Sequence, residues 1–90
     1  MNAKFSLSVQ EELKKIQKKD RKLANRIEKQ IALFEENLKH PSLRTHKLSG
    51  AIDNMWSISI TMNIRMVYVL LDNSSAIFIK IGTHDEVYGK

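Results

Sequence analysis

The sequence predicts an α+β domain in which an N-terminal helical hairpin packs on a twisted, mainly antiparallel four-stranded sheet, in the order β-α-α-β-β-β. Three observations carry this expectation. Apolar residues recur at helical spacing as far as Leu38, the mark of helices that bury one face. From Met55 the period changes to two, as in strands with unlike faces. The 90 residues contain no repeat and no linker able to divide them, so one domain over residues 1–90 with one core is expected.

Lys4 to Leu7 reads as a short first strand, because Phe5 and Leu7 alternate with polar neighbours. Ser8-Val9-Gln10-Glu11 has the form of a capping box, with the Ser8 hydroxyl accepting from the Glu11 amide and the Glu11 carboxylate reaching back. Val9, Leu13 and Ile16 then share one face of a helix that runs to about Lys18. Asp20 is the expected cap of a second helix, along which Leu23, Ile27, Ile31, Phe34 and Leu38 repeat at steps of four, four, three and four. That helix must end near Lys39, because a residue preceding proline, here His40 before Pro41, is pushed out of the helical region.

His40 to Gly50, "HPSLRTHKLSG", is polar and bounded by Pro41 and Gly50, so it reads as a loop. Beyond it Trp56, Ile58, Ile60 and Met62 alternate with Ser57, Ser59 and Thr61. The apolar set should face the helices and the hydroxyl set the open side. Met62-Asn63-Ile64 is the expected tight connection, Arg65 to Leu71 the next strand, Asp72 to Ser75 a turn, and Ala76 to Ile81 the last strand. Consecutive strands with short polar turns form an antiparallel meander. The hairpin can bury its stripe only on one face of it, which leaves the other as a surface for a ligand.

Composition narrows the functional classes. With 42% apolar and 28% charged residues the chain is an ordinary globular candidate. It has no cysteine, which excludes disulfides, cysteine-ligated zinc and thiol chemistry, and agrees with a reducing, cytoplasmic setting. Met1 to Phe5 leads straight into an amphipathic pattern, so no signal peptide is expected, and Met66 to Leu71 is far too short a run to span a bilayer. The net charge of +5 is uneven: residues 1–39 carry ten bases against six acids, and the remainder five against four. The excess gathers in Lys14, Lys15, Lys18, Lys19, Arg21 and Lys22. Such a cluster either attracts a polyanion through counterion release or is a solvated helix face.

Outside the helices the chemistry-bearing residues are few. There is no phosphate-cradling glycine loop or nucleophile elbow. His46, His84 and Asp85 lack metal-ligand spacing, and the adjacent Asp85 and Glu86 would point apart, unlike a glycosidase pair. No cofactor or metal is expected. Arg65 opens an otherwise apolar strand, so its guanidinium snorkels to an edge or faces the open side. Together His46, Arg65, His84 and Tyr88 would supply a proton acceptor, a proton donor and a cation, the needs of metal-free RNA cleavage.

These residues also carry a resemblance. "HPSLRTHKLSG", a tryptophan strand, "IRMVYVLLDN" and "IGTHDEVY", in that order behind "FSLSVQEELKKI", resemble the RelE/ParE superfamily of type II toxins over nearly the whole chain. The likeness is greatest to the RelE and YafQ-like messenger-RNA interferases. It implies two helices on a twisted antiparallel sheet, and metal-independent cleavage of mRNA on the ribosome. The substrate's 2′-hydroxyl attacks the neighbouring phosphate and leaves a 2′,3′-cyclic phosphate. By position, His46 matches the histidine of "H-x-L-x-G", His84 that of "G-T-H", Arg65 the arginine used on the phosphate, and Tyr88 the C-terminal aromatic that stacks on a base. The two histidines would be acid and base. The basic turn from Lys14 to Lys22, with Arg44 and Lys47, would face ribosomal RNA. The partner implied is a cognate antitoxin, a short acidic protein that folds as it binds.

The chain departs from the family in places. Ser59 stands where YafQ-like toxins carry a further histidine, and Asn63 where they carry an aspartate. Ser42 lies near the place of the YoeB-type glutamate, and Lys47 is the only loose match to the RelE loop lysines. Two other readings therefore stay open: a ParE-like toxin that binds DNA gyrase without catalysis, and a degenerate homologue that binds an antitoxin only.

Overall fold

The computed structural model of the protein describes residues 1–48 and 54–88, with Tyr88 described by its backbone alone. Ser49 and Gly50, the end of the predicted loop, lie outside the described residues. In chain order the elements are β1 (Asn2–Phe5), α1 (Leu7–Lys19), α2 (Arg21–Glu36), a 3-10 turn (Pro41–Leu43), β2 (His46–Lys47), β3 (Met55–Ser59), β4 (Ile64–Leu70), β5 (Ser75–Thr83) and α3 (His84–Tyr88). The strands form one sheet in the order β1-β5-β4-β3-β2. Only β1, beside β5, is parallel to its neighbour.

The α+β architecture is the expected one, with five strands in place of four. The added β2 lies inside the predicted loop and is too short to show any period. Its ladder with β3 continues through the Leu48 amide, which donates to the Met55 carbonyl.

The N-terminal boundaries sit earlier than expected, for a tertiary reason. Residues Asn2 to Phe5 pair with Ser75 to Phe78, Phe5 stacks on Phe78 at 5.7 Å, and the Ser6 amide donates to the Phe78 carbonyl. That ends the strand before Leu7, which becomes an exposed helical residue. The cap of α1 is therefore Ser6, whose hydroxyl accepts from the Val9 amide, and not Ser8. Asp20 acts on both helices at once. Its amide donates to Ile16, closing α1, and its carboxylate accepts from Leu23, capping α2. Helix α2 stops at Glu36, three residues short of Lys39, with Asn37 in extended backbone. Leu38 still packs on the core.

The core lies between the hairpin and one sheet face. Phe34 of α2 meets Tyr68 of β4 and Phe78 of β5 edge-on, at 4.9 and 5.0 Å between ring centroids. Each such pair adds about 0.5–1.5 kcal/mol to the burial itself. Burial pushes the Tyr68 phenol up to about 12, so it stays neutral. Val9, Ile27, Leu43, Ile58, Ile60 and Met66 complete the layer.

The opposite face is not the uniformly polar surface expected. Val67 points away from Met66 and Tyr68 and is nevertheless buried, and α3 packs against β4 and β5 with its own Val87 buried. Ser57, on the same face, is also wholly buried. Met62 was expected on the apolar side, but β3 ends at Ser59 and Met62 stands fully exposed in the turn. Opposite Val67 and Tyr68 the β5 register steps from Lys80 to Phe78. Ile79 is the extra residue of this bulge, placed where β5 leaves β1 and heads for α3; bulges bend a strand and re-aim the residues beyond them.

Candidate functional site

Strand register brings the sequence-predicted residues together. His46 on β2 lies opposite Ser57 on β3, and Arg65 on β4 lies opposite Ser59 on one side and Gly82 of β5 on the other. Residues two apart on a strand share a face, so His46, Ser57, Ser59 and Arg65 share the face away from the hairpin. The chain leaves β5 into α3 at His84. Arg44, His46, Arg65 and His84 line one open concavity of about 400 Å³. Among the described residues its lining is two arginines and two histidines, with no acidic residue.

Each wall has a local cause. The 3-10 turn is held by His40 Nδ1, which accepts from the Ser42 amide, and it is closed by Arg44, whose amide donates to Pro41. Arg44 has φ of 45°, a left-handed conformation unfavourable for a side chain with a Cβ. The Arg44 carbonyl accepts from Arg65 Nη2 at 2.8 Å. Arg65 Nε donates to the Ser57 hydroxyl at 3.1 Å, and Nη2 also approaches the Ser57 carbonyl at 3.4 Å. The turn itself is tied to the fold by Gln30, a buried amide of α2 that donates to the carbonyls of Ser42 and Ser59.

Helix α3 begins with a reciprocal capping box. The Thr83 amide donates to Glu86 Oε1 at 2.7 Å, and the Glu86 amide donates to the Thr83 hydroxyl. Hydrogen bonding to the Glu86 carboxylate from the Thr83 amide and then from the Thr83 side chain, with the charge of Lys80 as a smaller contribution, holds the carboxyl below its ordinary range. Glu86 packs closely over Gly82: a Cβ there would stand 2.8 Å from Glu86 Oε1 and 3.1 Å from Glu86 Cβ, so the carboxylate would have to shift. His84 opens the helix in an exposed position, its Nδ1 3.8 Å from Asp85 Oδ1. Tyr88 closes α3 one turn later, and its side chain lies outside the described residues.

The other predicted contact residues lie elsewhere. Lys47 alternates to the face opposite His46, where its ammonium sits 5.8 Å from the Trp56 ring centroid. Lys14, Lys15, Lys18 and Lys19 are on the last turns of α1, and Arg21 and Lys22 start α2; none lines the concavity. Sequence reasoning missed the Thr83–Glu86 box, although Thr-x-x-Glu is a readable start signal. It also missed Ser57 as a partner of Arg65, which only cross-strand register reveals. Among the described residues no three His, Asp or Glu side chains stand close enough to hold a metal ion. Among them, too, no helix is long and apolar enough to cross a membrane.

The family model for the ParE toxin of the type II toxin-antitoxin system parDE matches residues 3–88. The chain belongs to this toxin family, within the RelE/ParE superfamily. No curated protein matches at a significant level. Among solved structures, the toxin is similar to a YoeB/ParE toxin from Agrobacterium tumefaciens (TM-score 0.78, 21% identity, 93% of this chain and 99% of that one). It is also similar to the heterotetrameric YoeB-YefM toxin-antitoxin complex from Staphylococcus aureus (0.77, 23%, 93% and 97%). A third similar structure is the E. coli DinJ-YafQ toxin-antitoxin complex (0.77, 20%, 98% and 97%). At these identities the structural likeness speaks for the fold.

Proposed function

We propose that the toxin is an endoribonuclease that cleaves mRNA on the ribosome and so stops translation in the cytoplasm. The observation that carries this reading is the single concavity lined by Arg44, His46, Arg65 and His84. In the sheet order, Arg65 on β4 lies between His46 on β2 and the β5 end that delivers His84. A phosphate on Arg65 would therefore have an imidazole on either side.

The chemistry follows from that arrangement. One imidazole takes the 2′ proton and the 2′ oxygen attacks phosphorus. The P–O5′ bond breaks, and the other imidazole gives its proton to the departing 5′ oxygen. The products are a 2′,3′-cyclic phosphate and a 5′ hydroxyl. Arg65 and Arg44 stabilise the negative charge that gathers on the phosphorane oxygens. Tyr88 supplies a π face for a base, and the basic end of the hairpin meets ribosomal RNA. The partner that silences the toxin is a cognate acidic antitoxin, consistent with the toxin-antitoxin complexes among the similar structures.

The test is a cell-free translation reaction in which mRNA 5′ ends are mapped with the parent toxin and with His46→Ala, Arg65→Ala and His84→Ala. Cuts that appear with the parent and fade at least tenfold in each variant support the reading. Intact mRNA, or cuts indifferent to all three substitutions, would sink it. The ParE family match favours a second reading, a non-catalytic toxin that binds DNA gyrase. Its signature is inhibited supercoiling that survives loss of both histidines.

A further inference from the structure

We propose that Ser57 is a positioning residue that, with the Arg44 carbonyl, holds the Arg65 guanidinium ready for phosphate. The inference rests on the reading of Arg65 as the phosphate-binding cation. It concerns a residue that never reaches the substrate, since Ser57 has no exposed surface.

A serine in the middle of a strand is an odd choice. Hydroxyl residues have only moderate preference for a buried strand position, and a buried hydroxyl needs a partner. Ser57 is the cross-strand neighbour of His46 and, on its other side, of Val67. Its hydroxyl accepts from Arg65 Nε at 3.1 Å, a bond strengthened by the charge of the donor. The Arg44 carbonyl takes Nη2 at 2.8 Å, and Arg44, the residue that closes the 3-10 turn, is itself in a left-handed conformation. Strain of this kind persists only where the surroundings impose it, and it collects at functional sites.

The two contacts fix the plane of the guanidinium from different elements, β3 and the 3-10 turn. Together they engage Nε and Nη2, while Nη1 carries N–H groups that no described residue takes up. A phosphate oxygen arriving at Nη1 meets a donor whose orientation was settled at folding. Without Ser57 the long side chain must be ordered when substrate binds, and that entropy comes out of transition-state stabilisation. Ser59 is the matched contrast. It lies directly opposite Arg65, but its hydroxyl donates to the Thr61 carbonyl.

The experiment compares Ser57→Ala and Ser59→Ala with the parent, in two measurements. The first is mRNA cleavage on ribosomes, resolved into turnover and half-saturating ribosome concentration. The second is solvent exchange of the Arg65 Nε–H in nitrogen-edited NMR spectra. Ser57→Ala should lower turnover about ten- to hundredfold, the size of one hydrogen bond to a charged group. It should leave half-saturation unchanged and speed exchange of the Nε–H. Ser59→Ala should match the parent in both. Parent-like turnover or exchange in Ser57→Ala, or an equal loss in Ser59→Ala, would overturn the proposal. If the parent itself does not cut mRNA, the proposed function falls and the exchange measurement alone decides the role of Ser57. Should Ser57→Ala fail to fold, the parent still provides the answer. Its Arg65 Nε–H should exchange much more slowly than that of Arg21, and equal rates would refute the clamp.

Discussion

Replacing Gln30 by glutamate probes the tie between the helical layer and the site. Gln30 is 1% exposed, and its amide nitrogen donates to the Ser59 carbonyl at 2.9 Å and the Ser42 carbonyl at 3.3 Å. Glutamate keeps the shape and removes that donor, turning a carboxyl toward two carbonyl oxygens. Ionised, it would be repelled and desolvated, so in the folded state it is held protonated and its pKa is raised. Keeping a carboxyl protonated at pH 7, against an unfolded value of about 4.3, costs about 3.7 kcal/mol. A protonated carboxyl offers one O–H, so about 1 kcal/mol is lost in addition with the second bond. The sum, about 4–5 kcal/mol, is a large part of the roughly 5–13 kcal/mol available to a chain of this length. The sign follows from the raised pKa. The variant's deficit is small below the unfolded value and grows as pH rises toward the folded one. Urea denaturation of variant and parent at pH 4.5 and pH 7 should therefore give a difference of about 1–2 kcal/mol at the lower pH and about 4–5 kcal/mol at the higher. A deficit under about 1 kcal/mol at pH 7, or one equal at both values, would show that the Gln30 amide does not serve those carbonyls.

Three further outcomes are expected. Gly82→Ala should loosen α3 and slow cleavage through its clash with Glu86, and the double variant with Glu86→Ala should lose less than the sum of the two single losses, because the closest contact, with the carboxylate, is gone; strictly additive losses in Tm and rate would refute that coupling. Phe34→Ala removes a wholly buried ring that touches Tyr68 and Phe78, and should cost about 3–5 kcal/mol by urea denaturation. Asp72 accepts from the Ser74 amide and from the hydroxyls of Ser75 and Ser74, bonds that lower its carboxyl pKa. Its contribution is thus present above the unfolded pKa and lost as pH falls through the folded one, so Asp72→Asn should flatten part of the acid branch of the stability curve, measured by thermal melts from pH 7 down to pH 3.

Much of this fold was legible because it is written in local periods. The steps of three and four from Leu23 to Leu38 and the alternation after Trp56 state which face each element buries before any partner is known. Asp20 was readable as a cap because capping is a contact within one turn. The same locality explains the failures. Ser8 and Ser6 both suit a helix start, and the choice went to Ser6 because Phe5 pairs with Phe78, far off in sequence. The pair His46 and Lys47 is too short for any pattern, and became a strand only because β3 offered an open edge.

For the candidate site the division is sharper. Residue types and their order suggested His46, Arg65, His84 and Tyr88 as one set, since few other groups outside the helices can move protons or bind an anion. Sequence alone also settled the basic character of the hairpin and the exclusion of thiol chemistry. Only the tertiary structure decided that Arg44 joins that concavity and Lys47 does not, because adjacent strand residues face opposite ways and register sets which way. It also carried the last strand on to Thr83 and made His84 to Tyr88 a capped helix, with Glu86 closing over Gly82. Contacts of this kind join residues from different elements, and no pattern along the chain encodes a distance across the fold.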